Sequence, residues 1–291
     1  KTTWIKAIPG DYTREFKTVQ IEIGGLDMNT TYGYNILING IATKKGGEFT
    51  TKDLWQWRKP APDFSFLTGS CAYFNEPVYD RPGKPYGGDS SIFETMAKEK
   101  SAFMIWLGDN WYTREADYYS EWGLWYRASH DRSLPVLEQF WKAMPQYAIW
   151  DDHDYGPNNA GAEFENKDTA LKVFKDMWPN QNYASSKGIY HTFKHNEAQF
   201  FMTDGRYFKI KEEQLLGDEQ LKWLCDELQK SKATFKFICM GTQAISNCQF
   251  ENFRKYPHEY DYFMNYIHEH KIEGIIFMSG DVHFAEVSQL N

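Results

Sequence analysis

Three short apolar runs in this chain each break off at an acid. Phe103-Met104-Ile105-Trp106-Leu107 runs into Gly108-Asp109-Asn110-Trp111-Tyr112, Tyr147-Ala148-Ile149-Trp150 into Asp151-Asp152-His153-Asp154, and Ile275-Ile276-Phe277-Met278 into Ser279-Gly280-Asp281-Val282-His283. Runs of four or five apolar residues without alternation predict strands buried on both faces of a sheet. In an open α/β sheet ligands gather outside the carboxyl ends of the strands. Acids far apart in sequence are therefore expected to converge.

The chain has 291 residues, enough for one large domain or two smaller ones and for a core that needs no covalent staple. Its formal charge is -8, and no dense Lys/Arg run is present. That balance argues against a nucleic-acid groove as the main surface, although bound cations can reverse the field locally. No apolar stretch approaches the roughly 18 residues that span a bilayer, and no basic start precedes an apolar segment. A soluble mature chain is expected, with export left open because a leader can be removed. Of the four cysteines, Cys225 falls on a helix-period stripe and Cys239 in a strand-like run, so both are expected as buried small hydrophobes. Cys248 carries no assignment.

Residues 1–60 read as antiparallel β. Thr18–Ile23 alternates, Tyr32–Ile38 follows and Glu48–Thr51 closes the segment, with turns at Gly24-Gly25-Leu26-Asp27 and Asn39-Gly40. Three or four strands fit, fewer than the roughly seven of an immunoglobulin-like sandwich. Lys59-Pro60-Ala61-Pro62 reads as an extended linker. From Phe64 onward strands and helices alternate, which predicts α/β for residues 61–291. Ser91 with Glu94 has capping-box spacing. Glu163–Trp178 is expected as a helix stopped by Pro179, and Leu221, Leu224, Cys225 and Leu228 mark another, with Asp218 as its N-cap.

Each strand end has a bland reading and a chemical one. Asp109 with Tyr112 can be only a turn after a strand. Asp151-Asp152-His153-Asp154 can be a solvated loop, yet four titratable residues after a buried run are costly unless paired or bound to cations. Asp281 and His283, two apart, point to one side and suit two ligands of one metal cluster. Cys71, ending the run Phe64–Ser70, is inert if isolated. If it joins the cluster, its thiolate favours a softer cation while the carboxylates favour harder ones.

Gly69-Ser70-Cys71, Gly108–Tyr112, Asp151–Asn159, Asp204-Gly205-Arg206-Tyr207, Met240-Gly241-Thr242-Gln243 and Ser279–Glu286, in this order, resemble PhoD-like alkaline phosphatases of the calcineurin-like metallophosphatase superfamily. Gly25–Tyr34 is similar to the fibronectin-like module such enzymes carry in front. The resemblance implies an α/β metallophosphatase β-sandwich with flanking helices (αββα), preceded by a partial fibronectin-like antiparallel β module. The boundaries would be 1–60 for the module and 61–291 for the catalytic domain.

It also implies two or three metal ions, Fe(III) with Ca(II), or Zn(II) or Mn(II). Asp109 would bridge them, Cys71, Tyr112 and His283 would complete the ferric site, and Asp152 and Asp281 would bind the calcium-like cation. His153 would protonate the leaving oxygen, Arg206 would clamp the phosphoryl group, and Asn158 and Gln243 would contact substrate.

The implied activity is metal-dependent hydrolysis of phosphoric monoesters or diesters, with water activated by the metals. A small phosphoester is the expected substrate and an exported location the expected one; oligomeric state is left open. Relatives often continue with further strands and a C-terminal helix, so access to the site is what the resemblance leaves open. Two rivals remain. A phospholipase D-like diesterase would use Trp111, Tyr112, Tyr118, Tyr119, Trp122, Trp125 and Tyr126 as an apolar entrance, although aromatic core packing explains them equally well. A non-catalytic cation-binding or adhesive protein would use the cluster only as a clip.

Overall fold

The computed structural model describes Ile5, residues 15–247 and residues 250–289; Cys248 lies outside the described residues. In chain order the elements are β1 (Thr31–Ile38), β2 (Ile41–Thr50), β3 (Leu67–Gly69), α1 (Ile92–Met96), β4 (Met104–Leu107), α2 (Glu115–Tyr118), α3 (Glu121–Arg132), α4 (Glu138–Ala143) and β5 (Gln146–Ile149). There follow α5 (Asp152–Tyr155), α6 (Lys167–Met177), β6 (His191–His195), β7 (Ala198–Met202), α7 (Asp218–Lys230), β8 (Phe235–Met240), α8 (Pro257–Glu269) and β9 (Ile275–Ser279). The chain divides into two compact units, one of Lys1–Leu67, Asp89–Met104 and Ser133–Gln146, the other of Thr68–Gly88, Ile105–Arg132 and Tyr147–Asn291.

In the first unit β1 and β2 pair antiparallel. Asn39 and Gly40 turn the chain with φ of 51° and 80°, the double left-handed geometry that Asn-Gly supplies to a tight hairpin. Tyr32 lies opposite Phe49, with ring centroids 5.8 Å apart. The strand expected over Thr18–Ile23 is absent: Val19, Ile21 and Ile23 are all exposed, so the alternation has no face to bury. Two strands form among the described residues of this segment, not three or four. Ser91 makes no side-chain cap bond to α1; instead Asp89 Oδ1 accepts from the Ser91 N–H at 3.1 Å.

The second unit holds the sheets that carry the candidate site. One runs β3-β4-β5, the other β6-β7-β8-β9. Strand β7 pairs antiparallel with β6 and parallel with β8, and β8 pairs parallel with β9. Every residue of β7 is buried, Gln199 included, as a strand covered on both faces requires. Phe201 and Ile238, opposite each other in the ladder, join Leu221, Leu224, Cys225 and Leu228 of α7 and Phe263 of α8 in one core. The alternate residues face the other way: Tyr147, Phe193, Phe200 and Phe237 stack in sequence at 3.8, 4.8 and 4.8 Å, linking β5 to the four-stranded sheet. Beyond β5, α6 packs Phe174 on Trp150 at 5.3 Å. Helix, sheet, sheet, helix is the layering that the family resemblance implies, and its alternating strands and helices are what the sequence pattern predicts.

Two helix starts differ from expectation. The N-cap of α7 is Gly217, at φ 75°, rather than Asp218, and the Glu259 carboxylate accepts the N–H groups of Leu215, Leu216 and Gly217 at 2.7–2.9 Å. Helix α6 begins at Lys167, not Glu163, and Trp178 caps it before Pro179. Cys225 and Cys239 are fully buried, and burial pushes the Cys225 thiol up to about 12.

Candidate metal centre

The chain leaves β3, β4 and β9 in the same unusual way. Cys71, Asp109 and Asp281 all take left-handed backbone, at φ 62°, 53° and 67°. Such a conformation costs a non-glycine residue about 1–2 kcal/mol and recurs at functional sites. The bends are locked by neighbours: Cys71 N–H donates to Gly108 O at 3.2 Å, Ala72 N–H to Asp109 O at 2.9 Å, and Gly280 N–H to Gly241 O at 3.1 Å. Strand β5 leads into α5, where Asp151 is the N-cap and its own N–H donates to Asp154 Oδ2 at 2.9 Å. Asp154 also accepts from Asn110 N–H at 2.8 Å, so one buried carboxylate ties the ends of β4 and β5 together. Burial pushes that carboxylate up to about 7.

These bends bring the acids to one cavity of about 640 Å³, bounded on one side by Asp109, Tyr112, Asp152, His153, Asp281 and His283. Asp109, Asp152 and His153 each place a ligand atom within 4.8 Å of the others, and so do Asp151, Glu251 and Asp281. Cys71 Sγ lies 3.7 Å from Asp109 Oδ2 and 3.5 Å from the Asp281 carbonyl. The Tyr112 hydroxyl borders the same thiol and carboxylate, and its ring lies 4.4 Å from that of His153. The other side of Tyr112 meets Tyr73 at 4.8 Å. Arg114 backs both rings, donating to Tyr112 O and lying over Tyr73 at 4.6 Å.

Electrostatically the cluster opposes its own charge. Burial, then Asp151 and Asp152, push Asp109 well above the usual carboxylate range. Burial, then Glu251 and Asp152, raise Asp281 to about 6. The Cys71 thiol is pushed up to about 12 by burial and by Asp109, and Tyr112 moves up for the same reasons. Asp152 moves the other way: burial works to raise it, but Arg206, His153 and the Asn159 N–H at 2.6 Å outweigh that. Burial lowers His153, against the pull of Asp152.

The donor set fits cations. Asp151 Oδ2 and Asp152 Oδ1 are buried without a hydrogen-bond partner, an arrangement that costs free energy unless something positive lies against them. Thiolate, phenolate and imidazole beside Asp109 suit a transition metal, whereas the all-carboxylate side suits a harder ion.

Not every expected residue joins this arrangement. His283 lines the cavity but is exposed and belongs to neither tight group. Asn158 is exposed on the cavity rim. Gln243 does not line the cavity; its Nε2 donates to Gly280 O at 2.5 Å and holds the bend after β9. Arg206, expected as a clamp, does not line it either. It is fully buried, with Nε donating to Asp151 Oδ1 at 2.5 Å and Nη2 to Glu251. Its guanidinium is a counter-charge beneath the carboxylates, because Asp151 has no room to turn away: a Cβ on Gly241 would meet Asp151 Oδ1 at 2.5 Å. The aromatic stretch divides: Trp111, Tyr112 and Trp125 are buried, while Tyr119 and Trp122 are exposed.

Sequence reasoning passed over Glu251, Lys209 and Asn159. Lys209 Nζ bonds Glu251 Oε1 at 2.7 Å and Asn159 O at 3.2 Å, which joins the Asp204–Arg206 loop, the residues after β8 and the residues after α5. No spacing signal marks such a pairing; an isolated Glu and an isolated Lys look like surface.

Comparison with known proteins bears on the family and the fold. The family model described as PhoD-like phosphatase matches residues 66–291. Alkaline phosphatase D of Bacillus subtilis (strain 168) is 24% identical over 335 residues, covering 94% of this chain and 54% of that protein. The chain thus spans about half the length of the curated relative it matches. The solved structure of PhoD superposes with a TM-score of 0.72 at 19% identity, over 96% of this chain and 65% of the other. A purple acid phosphatase from yellow lupin (Lupinus luteus) seeds superposes with a TM-score of 0.56 at 14% identity, over 89% of this chain and 44% of its own.

Proposed function

The chain belongs to the PhoD-like phosphatase family, and from that premise we propose that its cavity hydrolyses small phosphoric esters, monoesters or diesters, with the help of bound cations. One observation carries the reading: carboxylates from three strand ends, Asp109, Asp152 and Asp281, share a cavity with a phenol and an imidazole, the Cys71 thiol lies 3.7 Å from Asp109, and the buried Oδ1 of Asp152 lacks a partner. Asp109, Cys71, Tyr112 and His283 would hold an iron-like ion, and Asp109, Asp152 and Asp281 a calcium-like one; Zn(II) or Mn(II) remain alternatives. Bound there, such ions supply Lewis acidity toward the phosphoryl oxygens and make water a nucleophile near neutral pH.

The chain's own residues do the rest. His153 is fixed by its N–H on Asp109 Oδ1 at 3.2 Å, by its carbonyl on Thr113 Oγ1 at 2.8 Å, and by the Tyr112 ring. Its imidazole faces the cavity and would give its proton to the leaving oxygen; burial favours its neutral form, and Asp152 beside it pulls the other way. Asn158 at the rim would contact the ester. Arg206 would act through Asp151 and Glu251, not on the phosphoryl group. We also propose residues 1–60 as a partial fibronectin-like module, 61–291 as the catalytic domain, and export of the mature protein. No helix among the described residues is long and apolar enough to cross a membrane.

The test is release of nitrophenol from mono- and bis-nitrophenyl phosphate, with elemental analysis of the same protein. We expect turnover and at least two bound ions. The variant His153→Ala should lose about 10²–10⁴ in turnover and keep its metals. Loss of metal together with turnover would make His153 a ligand, as its nearness to Asp109 and Asp152 also allows. Metal-free protein inert on both esters would overturn the proposal and leave a cation-binding protein.

A further inference from the structure

Next to the main cavity lies a second recess of about 280 Å³. Asn158 and Asn159 line both, and the Asn159 N–H rests on Asp152 at 2.6 Å. The recess therefore begins one residue from a carboxylate of the metal centre. Its volume falls just below the roughly 300–1,000 Å³ of pockets for drug-sized ligands, a size suited to a head group.

The walls define what kind of head group. Tyr119, 71% exposed, stands at the mouth with its ring edge-on to Tyr118 at 4.6 Å. Phe164 and Pro157 supply apolar surface, and Phe164 is buried against Tyr155 at 5.5 Å. The charged residues of the lining are Glu163 and Glu165, with no Lys or Arg among them. The main cavity differs in that Lys209, Lys211 and Lys255 stand in its wall among the acids. Glu163 keeps its place through Oε1, which accepts from Gly161 N–H at 2.9 Å. An anion entering the recess meets two carboxylates and no cationic side chain, with only the neutral amides of Asn158, Asn159 and Asn166 beside them, and a neutral alkyl group gains nothing from the carboxylates. An alkylammonium gains from both the carboxylates and the tyrosine face.

We propose that this recess is a subsite for an ammonium-bearing alcohol, so that the esters this centre prefers are those of choline- or aminoalkyl-type alcohols. The proposal rests on the phosphoesterase reading of the adjoining cavity. It also gives Tyr119, one of the exposed residues of the aromatic stretch, a task distinct from core packing.

The experiment compares kcat/KM for choline phosphate with that for its uncharged isostere 3,3-dimethylbutyl phosphate. A preference of about tenfold for the cation is expected, the size of a partly exposed cation–aromatic contact aided by carboxylates. In Tyr119→Ala and in Glu165→Gln the preference should fall to within about twofold, with the rate on the uncharged ester unchanged. A ratio near one in the wild type, or one that survives Tyr119→Ala, overturns the subsite while p-nitrophenyl phosphate still reports the hydrolysis itself. Should neither ester turn over, tetramethylammonium binding followed through tyrosine NMR decides: saturable shifts at Tyr119 that vanish in Glu163→Gln/Glu165→Gln support the recess, and their absence sinks it. Glycerophosphocholine and phosphatidylcholine vesicles, each against its neutral counterpart, then tell a free ester from a lipid head group.

Discussion

Replacing Arg206 by Met separates two accounts of this residue. As a phosphoryl clamp it would cost turnover and little stability. As the structure has it, Arg206 and Asp151 are both fully buried and joined at 2.5 Å, and Asp151 Oδ2 has no hydrogen-bond partner. Glu251 would keep Lys209 at 2.7 Å, so the loss falls on Asp151. Removing one partner of a buried pair costs about 3–5 kcal/mol, a large share of a typical stability of about 5–15 kcal/mol. In melting temperature that is a fall of roughly 6–20 °C for a unit of this size. Urea unfolding of chelator-treated protein measures it without a cation compensating for the lost guanidinium. The double variant Asp151→Asn/Arg206→Met should recover about half the cost or more, since an amide carries no charge to strand. An Arg206→Met variant that unfolds within about 1 kcal/mol of wild type yet loses a hundredfold or more in turnover on p-nitrophenyl phosphate would make Arg206 the clamp instead.

Gly108 sits at φ 95°, and a Cβ there would lie 2.5 Å from Asp151 Cβ and 2.8 Å from Asp151 N. Gly108→Ala is expected to cost about 2–5 kcal/mol from backbone strain and overpacking together, read as a lower urea midpoint; an unchanged midpoint would refute the close approach. His191 gives a pH signature away from the metal centre. Burial lowers it to about 4, its Nδ1 bonds Ile189 O at 3.0 Å, and Nε2 has no partner. Between pH 4 and an unfolded value near 6.5 the unfolded chain binds the extra proton. The contribution is thus full above about pH 6.5 and lost on acidification toward 4, about 3 kcal/mol in all. His191→Phe should flatten that part of the stability–pH curve; an unaltered slope would contradict the assignment.

Much of the site was legible because its strands carry two signals at once. Runs such as Ile105-Trp106-Leu107 are apolar without alternation, which requires cover on both faces, and each stops at an acid that cannot enter the core unpaired. The period of α7 was equally plain, since Leu221, Leu224, Cys225 and Leu228 meet a core that exists. Thr18–Ile23 shows the limit: alternation is a demand for a partner, and Val19, Ile21 and Ile23 find none. Arg206 shows another. A guanidinium that clamps phosphate and one that neutralises a buried carboxylate have the same spelling, and only the position of Asp151, 55 residues away, tells them apart. Asp218 looked like the N-cap of α7 because nothing local announces that Glu259, on α8, takes the three N–H groups before it.

The candidate metal centre is costly for the polypeptide to maintain by itself, and that would make cation binding visible without any substrate. Three left-handed residues, Cys71, Asp109 and Asp281, add about 1–2 kcal/mol of strain each. Asp109 and Asp281 are pushed up by burial and by neighbouring carboxylates, and two buried carboxylate oxygens lack partners. A cation held among them relieves the repulsion and occupies the unpartnered oxygens only while the strand ends stay together. It must then bind the folded chain far better than the unfolded one. At a free concentration 100 times its Kd such an ion adds about 2.7 kcal/mol, so calcium or iron returned to chelator-treated protein should raise the melting temperature in a concentration-dependent way. Asp109→Asn should abolish the rise, because its carboxylate is the one proposed to be shared by both ions, whereas Glu165→Gln in the outer recess should leave it intact. If no cation at millimolar concentration moves the transition, the cluster does not hold metal, and the hydrolytic reading loses its foundation.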